Sequence, residues 1–359
     1  MRVKQLTLKN FRCFSNLNVE FERPVTIISG DNGTGKTSIL EAIHYMCYMR
    51  SFRASSPKDL ISFDTNNFFV KVTFENDTSL HNELQIGFSQ NKKIVKLNKN
   101  GINSFKDLMD FYRVITLTED DLLLIKGGPD LRRAFLDQAI LLLDYNFLEK
   151  VRKFKKVLSQ RNTLLQEHVV HAESYDLWTF QLWEKSRNVQ LVRAHIIKNL
   201  EDVVNQVLDQ IFKEKIYVSF EYKTKNIELN GDYNEFIDKI DKIKQQELRF
   251  RRSLFGAHLD DFIIKFQSKK SKAYASRGQQ KLVVLLLKIA QMAVLKKKRG
   301  PAVLLLDDFM TDFDEEKAAL LANFLVSLDC QLIFTSPAKS GFFDGKLLKL
   351  GAFKIELPH

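Results

Sequence analysis

The sequence predicts an α/β fold with an N-terminal β meander and an inserted, mainly helical lobe. Three observations lead to this prediction. An apolar strand-like run, Val25–Ile28, leads into a glycine-rich segment and then a helical pattern, and a second apolar run, Val303–Leu306, ends in two acidic residues. Between roughly 130 and 254, apolar residues recur mainly at helical spacing among Lys and Arg.

The glycine-rich segment is a complete P-loop, Gly30 to Thr37, and is followed directly by Ser38. We expect it to bind a nucleoside triphosphate. The segment consists of Gly30, Asp31, Asn32, Gly33, Thr34, Gly35, Lys36, Thr37 and Ser38. Glycines let backbone N–H groups wrap the β-phosphate, Lys36 can neutralise the β- and γ-oxygens, and the Thr37 hydroxyl can hold Mg²⁺. A helix over 38–49 would place its N-terminus at the phosphates. An ordinary glycine turn before a helix is the alternative, and the order strand, loop, helix disfavours it.

Length and charge limit the possible classes of protein. The 359 residues exceed a single typical core, so we expect one large domain with an insertion or two domains. A net charge of +11 favours a polyanionic partner such as nucleic acid, and 45% hydrophobic residues exclude a disordered chain. Met1–Gln5 lacks an apolar signal core, and the apolar run Leu282–Leu295 is interrupted by Lys288 and Gln291. We therefore expect a soluble cytoplasmic protein with no membrane partner.

The chain divides into a discontinuous α/β domain and an insertion. Short alternating strands surround Asn10–Phe14 and recur from Phe68 to Leu97, which predicts the meander. The predicted domains are an ATPase domain formed by 1–129 and 255–359, and a helical insertion lobe at 130–254 with one strand at Ile216–Tyr222. The helices of the lobe are expected to be too short and irregular for a long coiled coil.

Two carboxylates follow the second apolar strand, as expected where a buried parallel strand reaches an active site. Asp307 is the natural Mg²⁺ partner of Thr37, and Asp308 is a candidate for orienting or deprotonating the attacking water. Paired acids after an apolar run are also common in β-turns, so on their own they leave both interpretations open.

A second helix N-terminus follows at Ser276-Arg277-Gly278-Gln279-Gln280-Lys281, here called the signature segment. Ser276, Gly278 and Gln279 would present a hydroxyl, an N–H group and an amide to a phosphate, although the segment could also be a simple N-cap. The order P-loop, long gap, signature segment and paired acids is that of an ABC-type P-loop ATPase head. In such heads the signature segment of one subunit covers the γ-phosphate held by the P-loop of another. We therefore expect ATP and Mg²⁺ as cofactors and Lys36, Asp307, Asp308 and Ser276 as the residues that carry hydrolysis.

Further short motifs resemble those of the RecF family of bacterial recombination and gap-repair proteins. They occur in the same order as in that family and extend over nearly the whole chain. They are Asn10-Phe11-Arg12, Glu41-Ala42-Ile43, Arg50-Ser51-Phe52-Arg53, Gly127-Gly128-Pro129, Arg132–Asp137, Gln160-Arg161-Asn162, Gly256-Ala257-His258, Ser276–Gln279 and Leu306–Phe309.

The resemblance implies an SMC-like ABC ATPase that binds double-stranded DNA and single-strand/duplex junctions. It also implies an ATP-dependent homodimer, slow hydrolysis, and assistance to RecA loading with RecR and RecO. In this family picture Arg53 connects nucleotide and DNA, and Asp312 and Asp314 lie in the loop that joins the subunits. Transporter-type heads carry a histidine after the strand that follows the acids; here Thr335 and Ser336 stand there, so a γ-phosphate sensor must be a hydroxyl.

Clusters of basic residues are candidates for contacts to DNA phosphates. They are Lys92, Lys93, Lys96 and Lys99 in the meander, Arg152, Lys153, Lys155, Lys156 and Arg161 in the lobe, and Lys269, Lys270 and Lys272 before the signature segment. The alternative function is an ABC-type head that couples hydrolysis to a protein or transport partner without DNA.

Overall fold

Two structural units make up the chain in a computed structural model, which describes residues 1–75, 80–102, 108, 111–167, 169–212, 216–309, 313–338 and 341–357. The first unit consists of Met1–Leu122, Val207–Lys215 and Ser276–His359, and the second of Leu123–Gln206 and Ile216–Ala275. The predicted domain limits at 129/130 and 254/255 stay a prediction. Asp312 lies outside the described residues.

The elements are numbered along the chain. The strands are β1 (Arg2–Phe11), β2 (Phe14–Glu20), β3 (Val25–Gly30), β4 (Asn67–Glu75), β5 (His81–Ser89), β6 (Lys92–Leu97), β7 (Asn100–Gly101), β8 (Val114–Leu117), β9 (Val218–Lys223), β10 (Asp261–Phe266), β11 (Lys269–Lys270), β12 (Val303–Leu306), β13 (Leu332–Pro337) and β14 (Phe353–Glu356). The helices are α1 (Lys36–Tyr48), α2 (Leu123–Lys126), α3 (Pro129–Leu143), α4 (Phe147–Leu164), α5 (Ala172–Ile211), α6 (Tyr233–Phe250), α7 (Ser271–Tyr274), α8 (Arg277–Arg299), α9 (Glu315–Ser327) and α10 (Phe342–Lys349).

The described residues of the first unit form two sheets. One is an antiparallel sheet in the order β2-β1-β4-β5-β6-β7, which includes the predicted meander. The other is a parallel sheet in the order β14-β3-β13-β12-β8. Its inner strands β3 and β12 are fully buried, which explains why they read as continuous apolar runs.

Helix α1 contacts strands of both sheets of this unit, so that it is buried on all sides from Ser38 to Tyr48. Strand β13 lies between β3 and β12. Because the carboxyl ends of parallel strands share one edge, the segments after β3, β13 and β12 meet there. The P-loop and the paired acids follow two of these strands.

Helices and one three-stranded antiparallel sheet, β11-β10-β9, form the second unit. The predicted strand near 216–222 is β9. The expectation of short helices is wrong for α5, which runs for 40 residues and contains neither glycine nor proline. Its last residues belong to the first unit.

Helix α8 is the one described helix that is long and apolar enough to cross a membrane, and 78% of its apolar stretch is buried inside the protein. It begins at a Ser276 N-cap and ends before Gly300 (φ 92°) with four basic residues in its last turn, where they favour the helix dipole. A helix in a protein core has this composition too.

Candidate nucleotide-binding site

The P-loop connects the buried strand β3 to α1. Gly33 and Gly35 have φ of +91° and +96°, a conformation that side chains other than glycine rarely adopt. A Cβ on Gly35 would also lie 2.6 Å from Cys13 Sγ and 2.5 Å from Phe14 Cζ, because the turn between β1 and β2 packs on the loop. The Asn10–Phe14 turn therefore supports the P-loop from behind.

The N-terminus of α1 is suited to an anion. Its N-cap, Gly35, provides no side-chain hydrogen bond, so no side chain caps the first N–H groups. Lys36 Nζ donates hydrogen bonds to the carbonyl oxygens of Gly30 (2.7 Å) and Asp31 (2.8 Å), which holds its positive charge over the loop. Asp31, Asn32 and Gly33 are exposed at the loop's tip.

Thr37 and Asp307 meet although they are 270 positions apart. The Thr37 hydroxyl donates to Asp307 Oδ1 at 2.9 Å, and the Thr335 hydroxyl donates to the same oxygen at 2.8 Å. Thr335 Oγ1 also accepts the backbone N–H of Asp308 at 2.9 Å. The Thr335 hydroxyl, at the end of β13, thus forms hydrogen bonds with both acids. It can do so because β13 lies between β3 and β12.

Burial affects the charge of both acids. Loss of hydration raises the pKa of Asp307, and the hydrogen bonds from Thr335 and Thr37 oppose that rise. The pKa of Asp308 is raised first by burial and then by the charge of Asp307, while Lys281 and Lys36 lower it. Asp308 also has a left-handed backbone conformation, φ 44°, which is uncommon outside glycine and concentrates at functional sites.

The donor set fits Mg²⁺ and a triphosphate. A threonine hydroxyl and a carboxylate are hard oxygen ligands, and Mg²⁺ in nucleotide sites takes one or two such ligands together with phosphate oxygens. A divalent cation next to Asp307 would compensate the charge that burial disfavours. Thr37 and Asp307 would hold the metal, and the glycine loop with Lys36 would hold the phosphates.

The signature segment forms a capped helix N-terminus. Ser276 Oγ accepts from Gln279 N at 3.3 Å and Gln279 Oε1 accepts from Ser276 N at 2.8 Å, a capping box. Ser276 and Gln279 are exposed and Gly278 is half-buried. Among the residues described, none of these three forms a hydrogen bond with 30–37. The structure therefore brings Lys36, Thr37, Asp307 and Asp308 together, and among the described residues Ser276, Gly278 and Gln279 form no hydrogen bond with these four.

Lysine and glutamate side chains connect α8 to the residues that follow β12. Lys281, fully buried on α8, lies 3.0 Å from Glu119 Oε1 and donates to the carbonyl of Phe309 at 3.2 Å. Arg277 contacts the same Glu119 oxygen at 3.2 Å. No local pattern predicts these contacts, because 158 positions separate Glu119 and Arg277.

One of the basic residues proposed for DNA contact is corrected. Arg161 has no exposed side-chain surface; it forms an ion pair with Glu247 at 2.6 Å and lies over the rings of Tyr175 and Phe255. It cannot reach a phosphate from there. The other eleven candidates are exposed.

Comparisons with known proteins agree with this geometry. Residues 2–348 match the family model of the RecF/RecN/SMC N terminal domain. The DNA replication and repair protein RecF of Natranaerobius thermophilus is 30% identical over 95% of this chain and 92% of its own length. That of Clostridium tetani is 30% identical over 93% and 92%.

Solved structures give the same result. The recombination mediator protein RecF-ATPrS of the RecFOR pathway superposes with a TM-score of 0.81 at 27% identity, covering 94% of this chain and 93% of that one. The RecF-ATP structure of the same pathway has a TM-score of 0.80 at 26% identity, covering 94% and 92%. The Smc head domain of Pyrococcus furiosus, at 16% identity and a TM-score of 0.56 over 96% and 91%, shows the fold alone. The chain belongs to the RecF family of SMC-like ABC-type ATPases, proteins of DNA replication and repair.

Proposed function

We propose that the chain is an ATP-dependent DNA-binding protein of recombinational gap repair. Its ATP-bound dimer clamps duplex DNA, and slow, DNA-stimulated hydrolysis of ATP to ADP and phosphate releases the clamp. Mg²⁺ held by Thr37 and Asp307 assists hydrolysis. In the cytoplasm the protein acts at single-strand/duplex junctions and assists RecA loading with RecR and RecO, as the RecFOR pathway of its structural relatives suggests.

One observation supports the proposed ATP-bound dimer. Lys36, Thr37, Asp307 and Asp308 form a cluster, whereas the hydroxyl of the exposed Ser276 bonds to Gln279 and, among the described residues, to no member of that cluster. A phosphate-binding helix N-terminus that does not serve its own P-loop can serve the P-loop of a second copy. Two such copies would enclose two ATP molecules.

The duplex DNA partner is supported by charge. The net charge is +11, and exposed lysines and arginines occur on both units. Binding through backbone phosphates depends on such residues and needs no stacking of bases on aromatic rings.

Hydrolysis measured with no DNA, with single-stranded DNA and with duplex DNA tests the proposal. We expect duplex DNA to stimulate the rate and ATP to increase DNA retention on a filter. The alternative function, an ABC-type head coupled to a protein partner, would be favoured by two results together. The hydrolysis rate would be the same with and without DNA, and ATP would not change DNA retention.

A variant tests the divided site. Ser276→Arg places a large charged side chain at the helix N-terminus and should abolish the ATP-dependent increase in mass seen by light scattering. Ser89→Arg, at an exposed serine that ends β5, is the matched control and should dimerise normally. Dimerisation of Ser276→Arg at the wild-type level would show that the signature segment is not in the interface.

A further inference from the structure

A buried carboxylate lies behind the P-loop, on the helix that the loop begins. The side chain of Glu41, in α1, has no exposed surface. A charge in such a place must be paired and hydrogen-bonded. Arg12 satisfies it with two bonds, Nε to Oε2 at 2.8 Å and Nη2 to Oε1 at 2.7 Å.

Arg12 holds this pair in a fixed place. It lies in the turn between β1 and β2 with φ of +56°, and its Nη1 donates to the carbonyl of Asp59 at 2.8 Å. Its own backbone N–H donates to the carbonyl of Leu60 at 2.8 Å. The bond to Glu41 also raises the pKa of Arg12, so the guanidinium stays charged.

Ser51 connects Glu41 to the loop that follows α1. Its hydroxyl donates to Glu41 Oε1, and its oxygen accepts the backbone N–H groups of Arg53 (2.8 Å) and Ala54 (2.7 Å). A hydroxyl has one proton and two lone pairs, so every hydrogen-bonding capacity of the Ser51 hydroxyl is used. The backbone at Arg53 is thereby tied to a buried, ion-paired carboxylate.

The side chain of Arg53 itself is exposed. Among the residues that the structure describes, its guanidinium forms no hydrogen bond or ion pair. The hydrogen bonds of Ser51 place the backbone of Arg53 beside Glu41, which follows Lys36 by five residues on α1, about 7.5 Å along the helix axis and so close to the helix N-terminus that the P-loop provides. An arginine in this position is available to an anion bound beside Thr37 and Asp307.

We propose that Glu41 and Ser51 are positioning residues that hold Arg53 against the triphosphate of bound ATP. The inference rests on the proposed ATP site. The family resemblance already associates Arg53 with the nucleotide; what is new is the buried support from Ser51, Glu41 and Arg12. Because an arginine loses rotamer entropy when it binds, a loop fixed in advance lets it bind a phosphate at lower cost.

Isothermal titration of the full chain with Mg²⁺-ATP tests the proposal. We expect Ser51→Ala to weaken binding roughly three- to tenfold, the effect of removing one hydrogen-bonded support. Ser51→Thr keeps the hydroxyl and should restore affinity. Ser55→Ala, an exposed serine in the same loop, is the matched control and should bind as the wild type does.

A double-mutant cycle separates positioning from general stability. If Ser51 acts through Arg53, then Ser51→Ala added to Arg53→Ala causes no further loss of affinity. Additive losses, or wild-type binding by Ser51→Ala, would overturn the inference while leaving the proposed function intact. Absence of ATP binding by the wild type would overturn the proposed function itself. Ser51→Cys, which keeps the volume and weakens the hydrogen bonds, gives the same comparison should Ser51→Ala unfold at the assay temperature.

Discussion

At the scale of single residues, the site depends on a carboxylate whose charge the protein disfavours. Asp307 is buried beneath the hydroxyls of Thr37 and Thr335, and its neighbour Asp308 adds a second negative charge. Both acids have raised pKa values. The free protein therefore stores an electrostatic cost that a divalent cation can relieve.

Asp307→Asn should separate stability from activity. Because the pKa of Asp307 is higher in the folded chain than in the unfolded chain, the ionised carboxylate lowers the stability of the fold as pH rises through the folded-state pKa. The asparagine amide is uncharged and its oxygen can still accept hydrogen bonds from both threonine hydroxyls. The Tm of Asp307→Asn at pH 7 should therefore equal or exceed that of the wild type. Mg²⁺-dependent hydrolysis should fall on the order of a hundredfold or more, because the proposed metal site loses a ligand. Calorimetry without nucleotide and a phosphate-release assay measure the two effects. A clearly lower Tm would contradict this account of the charge.

The Tm difference should also depend on pH. Below the ordinary aspartate range Asp307 is protonated in both folded and unfolded chains, so the stability advantage of Asp307→Asn should vanish there and grow as pH rises toward neutrality. Thermal melts of both proteins from about pH 3 to about pH 8 would reveal it. An advantage that grows as pH falls would contradict the sign of the shift.

Lys36→Ala removes the cation that the loop carbonyls hold. Charge-assisted bonds contribute about 1.5–3 kcal/mol, so ATP affinity should fall roughly ten- to a hundredfold, and ATP-dependent retention of DNA should disappear. Lys349→Ala, an exposed lysine in the last turn of α10, is the control. Unchanged DNA retention in a filter assay would show that nucleotide does not gate DNA binding.

At the scale of elements, the β1–β2 turn and the P-loop form one packed unit. Gly33 and Gly35 share a left-handed backbone, but only at Gly35 would a Cβ collide with Cys13 and Phe14. Substitutions at Gly33 and Gly35 therefore distinguish the effect of backbone strain from the effect of a collision between the P-loop and the β1–β2 turn.

Gly35→Ala should lower both Tm and ATP affinity more than Gly33→Ala does. Both variants carry the strain of positive φ, about 1 kcal/mol, and only the first must also displace the turn. Thermal melts and ATP titrations of the two variants test this. Equal losses would mean that the turn does not support the loop.

Helices of the second unit depend on the buried pair Arg161–Glu247. Arg161→Met alone should cost about 3–5 kcal/mol, because it leaves Glu247 buried without its partner. Arg161→Met with Glu247→Leu should recover much of that loss. Urea unfolding measures both, and DNA affinity should not follow Arg161, since its side chain is buried.

Local patterns predict the elements that carry local motifs. The P-loop, its strand and helix, and the acid-ending strand can be identified because glycine spacing and apolar runs are properties of short segments. Thr335 is predicted only as a hydroxyl sensor, since its bridge between Asp307 and Asp308 depends on β13 lying between β3 and β12. The pairing of strands distant in sequence leaves no local pattern.

Two predictions in the lobe are wrong for reasons of the same kind. Arg161 reads as a surface cation because its partner, Glu247, is 86 residues away. The sequence of the 40-residue α5 predicts shorter helices because charged residues interrupt its apolar stripe. The segment nevertheless contains no glycine or proline, which permits one continuous helix.

At the scale of the whole molecule, the proposed binding of DNA depends on charge. Binding to phosphates releases counterions, so the affinity for duplex DNA should fall steeply as salt rises. Neutralising Lys269, Lys270 and Lys272 to Gln should reduce the slope of log affinity against log salt by about one for each phosphate that is no longer neutralised. An unchanged slope would exclude this cluster and direct the search to the exposed lysines of β6 or α4.

The dimer makes a stronger prediction for the whole molecule. If each ATP lies between the P-loop of one copy and the signature segment of another, Lys36→Ala and Ser276→Arg damage opposite halves of the site. A mixed dimer of the two variants contains one site with both halves intact and one with both damaged. A site contained within one chain has no such property.

Mixing these two variants and measuring ATP hydrolysis with duplex DNA therefore decides between a site divided between two copies and a site within one chain. We expect the mixture to hydrolyse ATP at a substantial fraction of the wild-type rate, because one of the two sites in each mixed dimer is intact. A mixture no more active than the sum of its separate components would contradict a site divided between two copies.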